Sequence, residues 1–331
     1  MTPLCIAGYG SYRPRQEWRS TELDARFGRP AGWTEAKFGI ATRRYAASDE
    51  TSSMMGAAAA RAAIDHAGWR AEEIDVIIGA CAVMEQPIPS TSLLIQQALG
   101  LGRSGIPAFD VNQTCLSFLT ALDIVAMGFE SGRWRRALVV SSDIASAGLD
   151  FAVPQTAAIF GDGAGAVCVE AGRDPNGPAL LARAFESYGD SHELATLRAG
   201  GTRLRVEQGY AALVAGSKFE MNAFGVFKAA ARCLPRLIDG VLDRAGLDRE
   251  TVDLVVCHQA SAPGVAHIRK LFGGSPGRVI DIFATHGNQI AASLPVALAH
   301  AAAAGLARPG INLILLGTAA GISAGAMVLR L

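Results

Sequence analysis

Two long runs of this chain share one pattern of apolar and polar positions. Residues 62–79 read AAIDHAGWRAEEIDVIIG and residues 240–257 read GVLDRAGLDRETVDLVVC. In each, an apolar segment with helical spacing stops at a glycine, a polar turn follows, and a β-branched run reads as a buried strand. Asp65, Gly68 and Asp75 return as Asp243, Gly246 and Asp253, each 178 positions later. Two further pairs keep the same order: Ala137-Leu-Val-Val-Ser with Asn312-Leu-Ile-Leu-Leu, and Ala164-Gly-Ala-Val-Cys-Val with Ala324-Gly-Ala-Met-Val-Leu. Three ordered matches predict an internal duplication, with halves 1–172 and 173–331 meeting in the punctuated stretch from Gly172 to Pro178. Duplicated βαβ units with wholly apolar strands predict an α/β protein of buried sheets covered by helices, its site in the cleft between the halves.

Half of the 331 residues are hydrophobic, enough for a large core. Lys plus Arg equals Asp plus Glu at 30 each. With no long run of either sign, a nucleic-acid partner or an anionic membrane surface is not expected. The most apolar tract, from Ala291 to Ala307, is broken by Pro295 and His300 and reads as a buried helix, not a membrane span. The start lacks a basic segment leading into a long apolar one, and the six cysteines form no CxxC pair. The expectation is a cytoplasmic protein with no metal site. Cys5, Cys81, Cys168 and Cys257 fall in strand-like runs, where cysteine serves as a small hydrophobe.

Cys115 is different. It lies where the strand-like Ala108-Phe-Asp-Val111 gives way to an apolar helical run from Leu116 to Phe129. The unpaired N–H groups and positive dipole end of a helix start are expected to lower a thiol's pKa and make it a nucleophile for acyl transfer. His258 ends the strand-like Asp253-Leu-Val-Val-Cys257, at the strand terminus where open α/β folds place their chemistry. Asn288, in Thr285-His-Gly-Asn-Gln289, occupies the loop that corresponds in the second half to the Cys115 segment. His286 in the same loop is a competitor.

Two tempting signatures fail on context. Gly321-Ile-Ser-Ala-Gly325 spells a hydrolase nucleophile elbow but leads into a terminal strand, with no Asp and His after it. Gly161-Asp-Gly-Ala-Gly165 resembles a dinucleotide loop but precedes a strand, not a helix.

Cys115 in DVNQTC, His258 in HQAS, Asn288 in HGNQIAAS and the IFGDGAGA run at 159–166 together resemble β-ketoacyl-ACP synthase III, a thiolase-like condensing enzyme. The likeness runs from Leu4 to the C-terminus. It implies a duplicated five-layer αβαβα thiolase-like fold, a homodimer, and Cys115, His258 and Asn288 as catalytic residues. The backbone N–H groups of Cys115 and Gly321 would form the oxyanion hole. The implied reaction is decarboxylative Claisen condensation of an acyl-CoA with malonyl-CoA or malonyl-ACP through an acyl-Cys intermediate. It serves fatty-acid initiation or a specialised starter-unit, signal or cofactor pathway. CoA or phosphopantetheine thioesters are substrates, and no bound cofactor is implied.

Trp33 matches the tryptophan that stacks on the CoA adenine, with Lys37 where the family often has Arg. Ile88 stands at the acyl-pocket gate, contributed across the dimer, where acetyl-specific members have Phe, and leaves room for a longer acyl group. Ser261 replaces the Asn of the family's HQAN motif, and Pro263 and Pro154 replace arginines that help hold phosphopantetheine or an acyl carrier protein. Two alternatives stand beside this: acyl transfer to a hydroxyl, amine or water without decarboxylation, using the same Cys and His, and a catalytically silent subunit that binds an acyl carrier, against which the intact Cys115, His258 and Asn288 argue.

Overall fold

The computed structural model describes every residue of the chain except Pro175 and Pro276. Its central sheet has nine strands: β1 (Thr2–Tyr12), β2 (Val76–Gly79), β3 (Ala108–Asp110), β4 (Arg136–Asp143), β5 (Gly163–Ala171), β6 (Ala179–Ser191), β7 (Leu254–Cys257), β8 (Asn312–Ala319) and β9 (Gly321–Arg330). Across the sheet the order is β7-β8-β9-β6-β1-β5-β4-β2-β3. Outward from the middle, β1-β5-β4-β2-β3 and β6-β9-β8-β7 repeat one topology, and a bridge from Val255 to Val279 supplies the counterpart of β3. Among the described residues the two sets pair where Thr2 and Pro3 meet Leu180 and Ala179. Of the punctuated stretch between β5 and β6, Pro175 lies outside the described residues.

Seven helices matter for the site: α1 (Trp33–Phe38), α2 (Ser52–Ala67), α3 (Thr91–Ala98), α4 (Ser117–Glu130), α5 (Ala223–Ala245), α6 (Ala262–Leu271) and α7 (Ser293–Ala303). Helices α2 and α5 each end at a glycine in the left-handed conformation, Gly68 (φ 66°) and Gly246 (φ 69°), as the repeat predicts. Three apolar clusters separate five layers. One lies between α2, α3 and the outer face of the first sheet, and another between α5, α6 and the outer face of the second. The central cluster surrounds α4 and α7, which are apolar on nearly every side because a sheet covers each flank. This is the thiolase-like αβαβα fold. Among the described residues no helix is long and apolar enough to cross a membrane.

Cys5, Cys168 and Cys257 lie in strands as expected, but Cys81 lies just beyond β2, in the loop that turns toward the site.

Close approach of α2 to β1 depends on glycine. A Cβ at Gly10 would come within 2.1 Å of the Ala59 carbonyl oxygen. Backbone cannot give way as a flexible side chain can, so Gly10→Val is expected to destabilise the fold by about 3 kcal/mol, read as a lower urea midpoint at unchanged m-value.

Candidate active site

The turn that carries Cys115 is built twice. Asn112-Gln-Thr-Cys-Leu-Ser117 precedes α4 and Asn288-Gln-Ile-Ala-Ala-Ser293 precedes α7. Thr114 (φ 48°) and Ile290 (φ 52°) both adopt the left-handed region, which β-branched residues rarely enter. The Thr114 N–H donates to Asn112 Oδ1 at 2.9 Å, and the Ile290 N–H donates to Asn288 Oδ1 at 2.9 Å. Asn112 Nδ2 donates to the Ala82 carbonyl and Asn288 Nδ2 to the Ala260 carbonyl. Ser117 Oγ donates to Thr114 O, and Ser293 Oγ can do the same to Ile290 O. Cys115 in one copy therefore corresponds to Ala291 in the other.

One cavity of about 690 Å³ contains Cys115, His258 and Asn288 in its wall. Its other lining is mostly apolar, including Met84, Leu149, Phe160, Leu197, Phe219, Met221 and Phe227. His258 follows β7 and faces α7, where Ser293 Oγ lies 2.6 Å from Nδ1, so Nε2 is left for the cavity. Asn288 is fastened by the IFGDGAGA run: its N–H donates to Ile159 O at 2.8 Å and its carbonyl accepts from the Gly161 N–H at 3.1 Å. That approach explains the glycines. A Cβ on Gly161 would meet the His286 carbonyl at 2.1 Å, and one on Gly163 the Gln289 amide at 2.0 Å.

The expectation of an acidic thiol is overturned. Burial pushes the Cys115 thiol up to about 12, and the neighbouring Asp143 adds to the rise; N–H groups of Cys115 and Ala320 only offset it in part. Burial likewise lowers His258 to about 4. At neutral pH the pair is an uncharged thiol and an uncharged imidazole. The second N–H facing the sulfur belongs to Ala320, one residue before the expected Gly321. Gly321 begins β9, where it pairs with Ser191.

Trp33, Lys37, Ile88, Pro154, Pro263 and His286 are not in the cavity wall. Trp33 opens α1, with the Arg29 guanidinium 5.2 Å and Lys37 Nζ 5.0 Å from its ring centroid. Asp24 accepts from the Gly32 and Thr34 N–H groups and fixes the start of this helix. Ile88 is 86% exposed, whereas Met84 to Pro87 of the same loop face the chain's own cavity. Pro154 begins a short helix, and Pro263 lies in the first turn of α6, capped by Ser261. His286, outside the cavity wall, binds Thr285. Ser323 of the elbow-like GxSxG bonds Ser187 across the β9–β6 pair. Residues the sequence reading passed over are Asp143, Ser293 and Ala320; the NQTCLS and NQIAAS echo could have drawn attention to Ser293.

Residues 109–189 match the family 3-Oxoacyl-[acyl-carrier-protein (ACP)] synthase III, and residues 242–331 match its C-terminal part. The β-ketoacyl-ACP synthase III of Neisseria meningitidis serogroup A is 35% identical over 326 residues, covering 98% of each chain. The chain belongs to the β-ketoacyl-ACP synthase III family. A Rhodospirillum rubrum synthase III is 34% identical over 98% of both chains. The crystal structure of the Aquifex aeolicus synthase III superposes with a TM-score of 0.89 at 29% identity, covering both chains completely. A priming β-ketosynthase of the R1128 polyketide pathway gives 0.88 at 28% identity, over 99% of this chain and 96% of that one. The protein is thus a condensing acyltransferase of the type that joins thioesters by decarboxylative Claisen condensation, in fatty-acid initiation or a specialised pathway.

A depressed imidazole pKa ties stability to pH. Between about 4 and the ordinary 6.5 the unfolded chain binds a proton at His258 that the folded chain does not. This stability is therefore complete above 6.5 and is lost as pH falls toward 4. In urea titrations at pH 4.5 and 7, the stability difference should be smaller in His258→Gln than in the parent by an amount on the order of 2 kcal/mol.

Proposed function

We propose that Cys115 is the nucleophile, His258 its base, and His258 with Asn288 the donor pair for the developing enolate. The single observation that carries this reading is the meeting, in one apolar cavity, of a thiol and a carboxamide Nδ2 delivered from two copies of one turn with an imidazole Nε2 from the end of β7. The halves 1–172 and 173–331 then divide the labour: the first supplies the nucleophile, the second the proton and hydrogen-bond chemistry.

Because thiol and imidazole are both neutral, proton transfer from Sγ to Nε2 accompanies attack on the acyl thioester. The N–H groups of Cys115 and Ala320 would receive the carbonyl oxygen as it becomes an oxyanion. Collapse expels the thiolate of the donor, which takes the proton back from Nε2, and leaves acyl-Cys115. A malonyl-type thioester then loses carbon dioxide. Its C2 forms the new carbon–carbon bond with the acyl carbon, and the Cys115 C–S bond breaks. Nε2 must now donate to the enolate oxygen, so it needs its own proton. Ser293 makes both roles available, since its hydroxyl lies 2.6 Å from Nδ1 and 2.9 Å from the Ile290 carbonyl. Turned to the carbonyl, it accepts from Nδ1–H and frees Nε2 as base; turned to Nδ1, it leaves the proton on Nε2.

Acyl-CoA donors and malonyl-CoA or malonyl-ACP acceptors fit the mostly apolar cavity, and Trp33 with its cationic neighbours supports CoA recognition. The face of Trp33, flanked by Arg29 and Lys37, suits a purine and its phosphates. Exposure of Ile88 fits a gate presented to a second copy in a homodimer. We place the enzyme in the cytoplasm, where CoA thioesters are available.

Mass spectrometry after incubation with a series of acyl-CoAs tests the assignment. Cys115→Ala should form no acyl adduct, whereas Asn288→Ala should still acylate Cys115 but condense about a hundredfold more slowly. Equal acylation of the Cys115→Ala protein would refute the nucleophile. Acyl turnover without carbon dioxide release would favour transfer to a hydroxyl, amine or water, and no adduct on Cys115 with any donor would favour the silent subunit. For Trp33→Ala, KM for acyl-CoA should rise about tenfold while KM for acyl-pantetheine, which lacks the adenine, stays constant.

A further inference from the structure

The second copy of the turn has no nucleophile but has backbone donors. Ala291 occupies the position of Cys115. Cys115 is in the cavity wall, where its N–H faces the sulfur. Ala291 is fully buried, and its N–H faces Asp143, at the end of β4 and also fully buried. Asp143 Oδ2 accepts from the Ala292 N–H at 3.1 Å, and Ala291 also donates to this carboxylate. Oδ1 accepts from the Ala82 and Val83 N–H groups, at 2.8 and 2.7 Å, in the loop leading to Met84.

We propose that the second turn is a relict anion nest kept filled by the Asp143 carboxylate, which makes Asp143 a positioning residue for His258. It acts through Ser293, the residue after Ala292, whose hydroxyl meets His258 Nδ1. The same carboxylate ties this turn, from the second half, to the Ala82–Val83 segment of the first. One buried anion thus fixes the imidazole and one wall of the cavity relative to each other. The catalytic part of the inference rests on the reading of His258 above; the nest itself does not.

Chemical rescue separates the two. Asp143→Ala leaves a hole the size of a small carboxylate, lined by four N–H donors. We expect this variant to acylate Cys115, to condense about tenfold or more slowly through a lower kcat, and to keep its KM for the malonyl thioester. Formate should restore kcat and raise the variant's Tm while leaving the parent's Tm unchanged, and butyrate should do neither. Asp143→Asn, which turns an amide N–H toward the donors, should be slowed and not rescued. If Asp143→Ala folds only in formate, that too supports the nest. Parent-like kcat in Asp143→Ala, or a variant that formate neither reactivates nor stabilises, overturns the proposal. Failure of the parent to form any adduct on Cys115 would instead sink the reading of His258 and its positioning, and the formate shift in Tm would then decide the nest alone.

Discussion

Two helices with little polar surface impose the main constraint on this protein. Apart from the edge of α4 that carries Asp123, Met127 and Glu130, and the end of α7 from His300, neither could be exposed to water, so both lie between sheets, with Leu119, Leu122 and Val125 on one and Leu294, Val296 and Leu298 on the other nearly or fully inaccessible. A helix enclosed in this way cannot shift without opening voids on both sides. Its first turn becomes a rigid mount, and the residues just before it are held to the same tolerance as the core. Cys115 precedes α4, and Asn288 precedes α7 with Ser293 as its first residue.

The same burial decides the electrostatics. Removing water raises the thiol and lowers the imidazole, so the resting site holds neither a thiolate nor an imidazolium. A neutral pair avoids placing charge in an apolar tunnel before substrate arrives. Charge appears only as the carbonyl is attacked or carbon dioxide leaves, and there the fixed N–H groups and Nδ2 are already oriented. This is stabilisation by preorganised dipoles, which are most effective where the dielectric is low. Asp143 follows the same rule, since burial raises it to about 7, while the N–H groups around it pull the other way.

Much of this was readable before any coordinates. The duplication shows because strand and helix periodicities survive divergence, and Cys115, His258 and Asn288 stand out because each follows or precedes an unmistakably apolar element. What could not be read depends on depth or on a one-residue register. A helix start argues for an acidic thiol, but how far the sulfur lies from water is a tertiary property, and it outweighs the dipole. Whether Ala320 or Gly321 faces the sulfur turns on where the β8–β9 hairpin reverses. Asp143 looks like the polar end of a strand, because the four donors it gathers come from segments about 60 and 150 positions away.

Duplication also explains why the site needed so few new parts. Both copies fold the same strained turn, with the same asparagine closing it and the same serine bracing it. In the first copy the asparagine and serine only support the turn that presents a thiol. In the second the thiol is absent, and in the proposed reaction the equivalent residues take up chemistry: the asparagine offers Nδ2 to the substrate, and the serine supports the imidazole at the end of the neighbouring strand. Keeping neither carboxylate nor substrate against the second set of N–H groups would have left buried donors unpaired, at about 1–3 kcal/mol each. An asymmetric site therefore follows from a symmetric fold once one turn faces the substrate and its twin must be satisfied from within.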